Sequence, residues 1–324
     1  MSDSLGRSDK TCVTAADARA SQSSTTAAPQ PARDRTLFTA ELSQALAESR
    51  RRDGAWGYYP GRAGRLESTC WALLALARHR GATVDIAPLR GWPAQKGWLI
   101  DVPGAPVNVA FNALAAVVLL QHPDGRPLAA PIVSNLVSTQ GIALPQSDAI
   151  RQDNSLQAWP WIDQTFSWVE PTAWSMLALK SARRQGIGQA SAIDVRISAG
   201  ERLLADRASR RGGWNYGNSN VYGQELWPYV PTTALALMAM QDRRAEAVVH
   251  AALQSLQKDS ETERSAFALA LSAICLRVYG VAAPTIESAL VDYLELSRSI
   301  GNVVGLAMGL YALSGAHDVD GFRL

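Results

Sequence analysis

Apolar residues recur three and four positions apart in one stretch of this 324-residue chain after another. That period predicts about twelve helices. They fall near 36–52, 66–80, 87–100, 108–121, 127–140, 170–185, 191–209, 231–243, 245–257, 262–279, 284–297 and 301–315. Two kinds alternate. "TLFTAELSQALAESRRR" and "AIDVRISAGERLLADRASRR" keep a polar face, whereas "PTTALALMAM" and "SAFALALSAICL" are apolar nearly all round. A helix with one polar face suits a solvated outer layer, and a helix apolar on every side must be covered on every side. Six hairpins, each with one helix of either kind, satisfy both demands as an inner ring of six helices wrapped by an outer ring of six. An open solenoid would need polar ends, but the last stretch, with Gly301, Gly305 and Gly309 on one stripe, is as apolar as the middle ones. The ends are therefore expected to close on each other, in an all-α fold.

A repeat runs through this pattern. "GAWGYYPGRAGRLESTCWALLALA" from Gly54, "QAWPWIDQTFSWVEPTAWSMLALK" from Gln157 and "GGWNYGNSNVYGQELWPYVPTTALALMAM" from Gly212 share one layout. Each is an aromatic loop, then a threonine (Thr69, Thr172 or Thr233), then an apolar helix, which points to a helical repeat architecture. In a ring, the loops entering the inner helices share one rim. Trp56 and Trp214 read as wedges between repeats. Trp161, Trp168, Tyr216, Tyr222, Trp227 and Tyr229 are freer of the pattern and are the candidate ligand contacts, since aromatic faces suit cations, apolar chains and sugars. Six inner-helix N-termini at that rim would also favour an anion, with Arg62, Arg65, Arg151, Arg210 and Arg211 nearby.

The Gly-x-Trp elements at 54–56 and 212–214, with the helices "EPTAWSMLAL" and "PTTALALMAM", resemble the repeats of the squalene and hopene cyclases and of the protein prenyltransferase β subunits. The resemblance implies an α/α toroid over most of residues 36–324. It implies an isoprenoid or other lipid in a central cavity, handled by an acid-initiated cyclase or isomerase. The family's functional motifs are incomplete here. The prenyltransferase zinc set needs Asp two residues before a cysteine, where this chain has Lys10, Ser68 and Ala273. The cyclase acid motif aligns on "WVEPTA", which leaves Glu170 where the proton donor would stand and puts Trp168 and Pro171 at two other aspartate positions. Asp318 and Asp320, the one close acidic pair, fall in an expected frayed tail.

Glu170 is the catalytic candidate. Burial between Trp168 and Trp174 would raise its pKa, whereas a place in the first helical turn would lower it. Glu67 and Pro231 occupy the same repeat position, which favours a helix-start role for both glutamates. A glycan-active pair made of Glu67 and Glu170 needs a separation of about 5–9.5 Å. The intervening hairpin argues for a larger one. A second class of function is a non-catalytic toroid that binds a peptide, lipid or partner protein through the aromatic rim.

Composition narrows the remaining classes. Charges are well mixed, with a net charge of +2, so nucleic acid is not expected as a partner. Residues 1–35 are rich in Ser, Thr, Ala and charge and read as a disordered leader ahead of a single domain, 36–324. The longest apolar stretches fall short of the roughly 18–20 residues of a transmembrane helix. A cytoplasmic protein follows, with peripheral membrane contact still open to it. Three scattered cysteines and isolated histidines lead to no expected metal or cofactor. Oligomeric state has no signature here.

Overall fold

The computed structural model describes residues 34–315 and 321–324. Most of the expected leader, and Asp318 and Asp320 with it, lie outside the described residues. Asp34 already caps the first helix, its Oδ1 accepting from the backbone N–H of Thr36 at 2.8 Å and of Leu37 at 3.4 Å.

Among the described residues twelve α-helices alternate between two layers: α1 (Arg35–Glu48), α2 (Leu66–Arg80), α3 (Ala87–Arg90), α4 (Val109–Leu119), α5 (Arg126–Ser138), α6 (Val169–Arg184), α7 (Ala190–Arg207), α8 (Val230–Ala239), α9 (Ala247–Ser260), α10 (Ala266–Val278), α11 (Pro284–Ser299) and α12 (Val303–Leu313). The even-numbered helices are buried almost throughout and pack in sequence from α2 to α12, and α12 packs back on α2. This is the closed inner ring of an (α/α)6 toroid. The odd-numbered helices lie outside it with one buried stripe each, such as Val249, Ala252 and Leu256 of α9.

The third outer helix is the exception. A helix over 87–100 is expected from sequence, but α3 has one turn and is followed by the hairpin β1 (Ala94–Gln95) and β2 (Trp98–Leu99). Gly91 and Pro93 interrupt the helix, and Lys96 (φ 50°) with Gly97 (φ 81°) supplies the two left-handed residues of a tight hairpin turn. A second hairpin, β3 (Asn220–Val221) and β4 (Gln224–Glu225), turns at Tyr222 and Gly223. It ties two long loops together: Ile150 bridges to Val221, and the Tyr222 N–H donates to Ala149 O at 2.6 Å.

The three-fold repeat is a packing device. Trp56, Trp159 and Trp214 are fully buried. Their indole N–H groups donate to Leu46 O, Leu136 O and Leu204 O at 2.7, 2.8 and 2.6 Å, in the last turns of the preceding outer helices. Their backbone N–H groups donate to Thr69, Thr172 and Thr233 Oγ1 at 2.9, 3.3 and 3.0 Å, on the following inner helices. Each tryptophan thus stitches one hairpin together. The residue two places on stitches the ring: Tyr58 O, Trp161 O and Tyr216 O accept from the first N–H of α12, α4 and α6 at 3.0, 2.9 and 3.0 Å.

At the opposite face, side chains tie the C-terminal ends together. Lys180 Nζ donates to Ala239 O at 2.9 Å, Arg244 Nη2 to Val278 O at 2.7 Å and Arg277 Nη1 to Ala312 O at 2.8 Å, each reaching one inner helix onward. No helix among the described residues is long and apolar enough to cross a membrane.

Candidate active site

All six inner helices contribute to one well of about 190 Å³. Glu67 and Trp71 enter from α2, Phe111 and Leu114 from α4, Glu170 and Trp174 from α6, Pro231, Thr232 and Leu235 from α8, Phe267 and Leu271 from α10, and Met308 from α12. Most of these pairs are four apart, so each helix turns one short stripe toward the axis. Glu67, Glu170, Pro231 and Phe267 lie in first turns, which places the mouth on the loop side, where Tyr216 also lines it.

Neither glutamate caps its helix. The Leu66 N–H at the start of α2 donates to Asp101 Oδ1 at 2.6 Å, and the Val169 N–H at the start of α6 goes to Tyr216 O. With these termini satisfied by other groups, both carboxyl groups are left to face the well. Although a hairpin lies between them in the chain, both side chains line the same well, and the charge of Glu67 is felt at Glu170.

The two carboxyls differ in their surroundings. Burial, and then the charge of Glu67, push the pKa of Glu170 up to about 7, against a smaller lowering from the Trp174 indole hydrogen bond. Burial also raises Glu67, though without the added push of a facing glutamate: its Oε2 accepts from Tyr58 Oη at 2.8 Å, which favours the charged form, and the opposed charges of Asp101, which raises it, and Arg65, which lowers it, come after. Arg65 is held there by Asp101, at 2.5 Å, and lies over the Tyr58 ring at 5.0 Å. The pair is therefore polarised: Glu170 tends to stay protonated, and Glu67 is the better anion. Tyr58, Arg65 and Asp101 are the supporting residues that sequence reasoning missed as a unit. Their signal was the loop position of Tyr58 two residues after a wedge tryptophan.

The rim aromatics separate into three sets. Trp168, Tyr216 and Tyr229 line a groove of about 510 Å³ between the two long loops, and Tyr216 lines the well as well. Phe166 stacks on Trp168 at 4.8 Å and Tyr216 on Tyr229 at 5.1 Å, each pair tilted. Trp161 packs edge-on against Phe111 at 6.3 Å, behind the wall of the well. Tyr222, 81% exposed, and Trp227, 66% exposed and covered by the Arg211 guanidinium at 3.9 Å, touch neither groove nor well.

A cavity of about 750 Å³ lies at the other face. Its lining is basic, but those cations have partners: Lys180 with Glu201 and Asp242, Arg243 with Glu201, Arg183 with Asp194, and Arg244 with helix-end carbonyls. Phe322, next to the pocket-lining Arg323 and Leu324, is fully buried against Trp71 and Trp174, which line the well, and against Tyr311. The tail expected to fray is thus docked at residues 321–324. Among the described residues no group of three or more His, Cys, Asp or Glu is placed to hold a metal ion, and Cys70 and Cys275 are buried free thiols.

No protein-family model matches the sequence, and no curated protein does. The fold is similar to solved structures. An α-mannanase of glycoside hydrolase family 76 from Bacteroides thetaiotaomicron superposes with a TM-score of 0.57 at 9% identity, covering 87% of this chain and 95% of its own. A family 76 α-1,6-mannanase from Salegentibacter sp. HEL1_6, in complex with an α-1,6-linked mannotetraose, gives 0.59 at 8% identity, covering 87% and 98%. Rex8A from Paenibacillus barcinonensis, complexed with xylose, gives 0.53 at 10% identity, covering 90% and 94%. These likenesses establish the (α/α)6 toroid.

They also overturn the resemblance to squalene and hopene cyclases and prenyltransferase β subunits, because the two mannanases similar across the ring belong to glycoside hydrolase family 76. The Gly-x-Trp and Thr elements that carried that resemblance are the stitching of a toroid and say nothing of its substrate. An isoprenoid or other lipid in the centre, and a terpenoid cyclase or isomerase acting on it, are corrected with it. A well of about 190 Å³ has no room for a polyprenyl chain. The non-catalytic rim-binding alternative fares no better, since Tyr222 and Trp227 stand apart from the groove and Trp161 faces inward.

Proposed function

We propose that the protein is a glycoside hydrolase in which Glu170 is the general acid and Glu67 the paired carboxylate. The observation that carries this reading is the convergence of two differently tuned carboxyl groups in one aromatic-walled well on the toroid axis. Glycoside cleavage needs one carboxyl group protonated near working pH, to give its proton to the leaving oxygen, and a second ionised, to act on the sugar or on water. Burial keeps the proton on Glu170. The Tyr58 Oη hydrogen bond, with Arg65 nearby, opposes the effect of burial on Glu67 and orients it for the role of the ionised partner. Trp71, Trp174, Phe111 and Phe267 offer faces for the apolar side of a sugar ring. Trp168, Tyr216 and Tyr229 line the groove through which the rest of the substrate would lie, while Trp161 backs the wall through Phe111.

The mannanase neighbours make α-1,6-linked mannose chains the first substrates to try. The Salegentibacter enzyme is described as inactive when two consecutive aspartates are replaced. This chain has no two consecutive aspartates, so its acid pair is a different one. The test is release of sugar from α-1,6-mannotriose and from a panel of aryl glycosides of common hexoses and pentoses. On α-1,6-mannotriose, turnover by the wild type that falls roughly a hundredfold or more in both Glu170→Gln and Glu67→Gln is expected, whereas on aryl glycosides with good leaving groups the large loss is expected in Glu67→Gln alone. No turnover of any glycoside in the panel, or turnover that survives both substitutions, would refute the proposal.

A further inference from the structure

Four residues near the end of the sequence touch the walls of the well and line the basal pocket. Residues 321–324 enter the C-terminal end of the inner ring without forming helix or strand. Phe322, 1% exposed, places its ring 5.6 Å from Trp71 and 5.9 Å from Trp174, two side chains that line the well, and 5.3 Å from Tyr311. The next two residues, Arg323 and Leu324, line the basal pocket. The segment is pinned by two side chains. Gln241, itself buried, donates from Nε2 to Phe322 O at 2.8 Å and accepts at Oε1 from the Leu324 N–H at 2.9 Å, and Tyr311 Oη accepts from the Gly321 N–H at 3.0 Å.

We propose that Phe322 is the floor of the well and that residues 321–324 set its depth, which makes this segment a determinant of substrate length. With the ring in place the well is closed at about 190 Å³. Withdrawing the ring would open space behind Trp71 and Trp174, on the side of the pocket that Arg323 and Leu324 line. The claim about depth rests on packing. Its consequence for the substrate rests on the glycoside reading above: a closed well admits one sugar at a chain end, and an opened one admits two.

The cavity left by truncating Phe322 should persist, because Trp71, Trp174 and Tyr311 are large, mutually packed rings that can collapse into it only in part. An apolar cavity of this kind stays dry and accepts an apolar guest. The test uses full-length protein and two neutral probes of different length, phenol and 4-phenylphenol, with affinities measured by calorimetry in the wild type and in Phe322→Ala. The preference for the two-ring probe over the one-ring probe is expected to rise about tenfold or more in the variant, equivalent to about 1.4 kcal/mol. A folded variant with the same preference as the wild type would overturn the proposal. If Phe322→Ala does not fold, Phe322→Leu is compared with the same probes, where any lasting rise in preference supports the floor and an unchanged one overturns it. Should the wild type cleave a glycoside chain, single sugars are its expected product and disaccharides appear only in the variant. Should it cleave none, the glycoside reading falls and the probe comparison still decides the floor.

Discussion

Glu170 sits where two forces oppose each other. A carboxylate in the first turn of a helix is favoured by free N–H groups and the helix dipole, typically by 0.3–1 kcal/mol. Here the first N–H of α6 is already bonded to Tyr216 O, the residue is buried, and Glu67 faces it. Burial wins, and the group titrates near 7 in place of its ordinary 4.5. The sign of the stability effect follows. Below about pH 4.5 the group is protonated in both states and contributes nothing. Between there and about pH 7 the folded state holds a proton that the unfolded chain releases, so stability falls as pH rises, by a total on the order of 3 kcal/mol. Glu170→Gln removes that loss. It should melt higher than the wild type at pH 8, with the gap closing by pH 5, and thermal melts at the two values check this. Equal melting of both proteins at pH 8 would mean that the carboxyl is solvated. In the sequence this residue was legible as the best acid, and its pairing with Glu67 was legible too but ranked last because of the separation expected from the intervening hairpin. Glu67, Glu170 and Pro231 share a repeat position, which suggests a common helix-start role. In a closed ring, equivalent inward positions on different helices also meet at the axis, and that geometric consequence was the signal passed over.

At the scale of single elements the repeat was well encoded. Gly-x-Trp followed by Thr works because Trp214 reaches back to Leu204 O while its N–H meets Thr233, and Gly213 (φ 84°) must be glycine, as a Cβ there would come within 2.5 Å of Thr233 Oγ1. Trp214→Ala should therefore cost roughly 3–5 kcal/mol in denaturant melts, by lost burial and a residual cavity. Thr233→Val leaves the Trp214 N–H without its acceptor in a buried site and should cost about 1–3 kcal/mol. Tyr222→Ala, at an exposed turn, should stay within about 0.5 kcal/mol. If Tyr222→Ala proved the costlier of the two aromatic truncations, the division of wedge from rim would be wrong. What could not be read was α3. Its stretch has helical spacing, but Lys96 and Gly97 turn the chain back, and only the β1–β2 hairpin explains why. The docked tail was missed for a related reason: "GFRL" is too short to carry a period, and its burial depends on Trp71, Trp174, Gln241 and Tyr311 from distant repeats.

The molecule as a whole is a ring closed between α12 and α2, and that closure makes the well possible, since every wall belongs to a different hairpin. An open repeat array can lose a terminal hairpin and keep most of its structure. A ring cannot. Truncation after residue 300, which removes α12 and the Phe322 floor together, should abolish the cooperative unfolding transition, whereas a stable, cooperatively melting remnant would argue for an open arc. The most direct measurement of the central claim is the pH dependence of glycoside hydrolysis in the wild type and in Glu170→Gln, each with a poor and a good leaving group on the same sugar. The account expects wild-type turnover of the poor leaving group to fall as pH rises through about 7, where Glu170 loses its proton. It expects Glu170→Gln to lose roughly a hundredfold or more on that substrate while keeping most of its rate on the good leaving group, which needs no acid. Equal losses on both leaving groups, or a wild-type profile indifferent to pH 7, would contradict the assignment of Glu170 as the acid of this well.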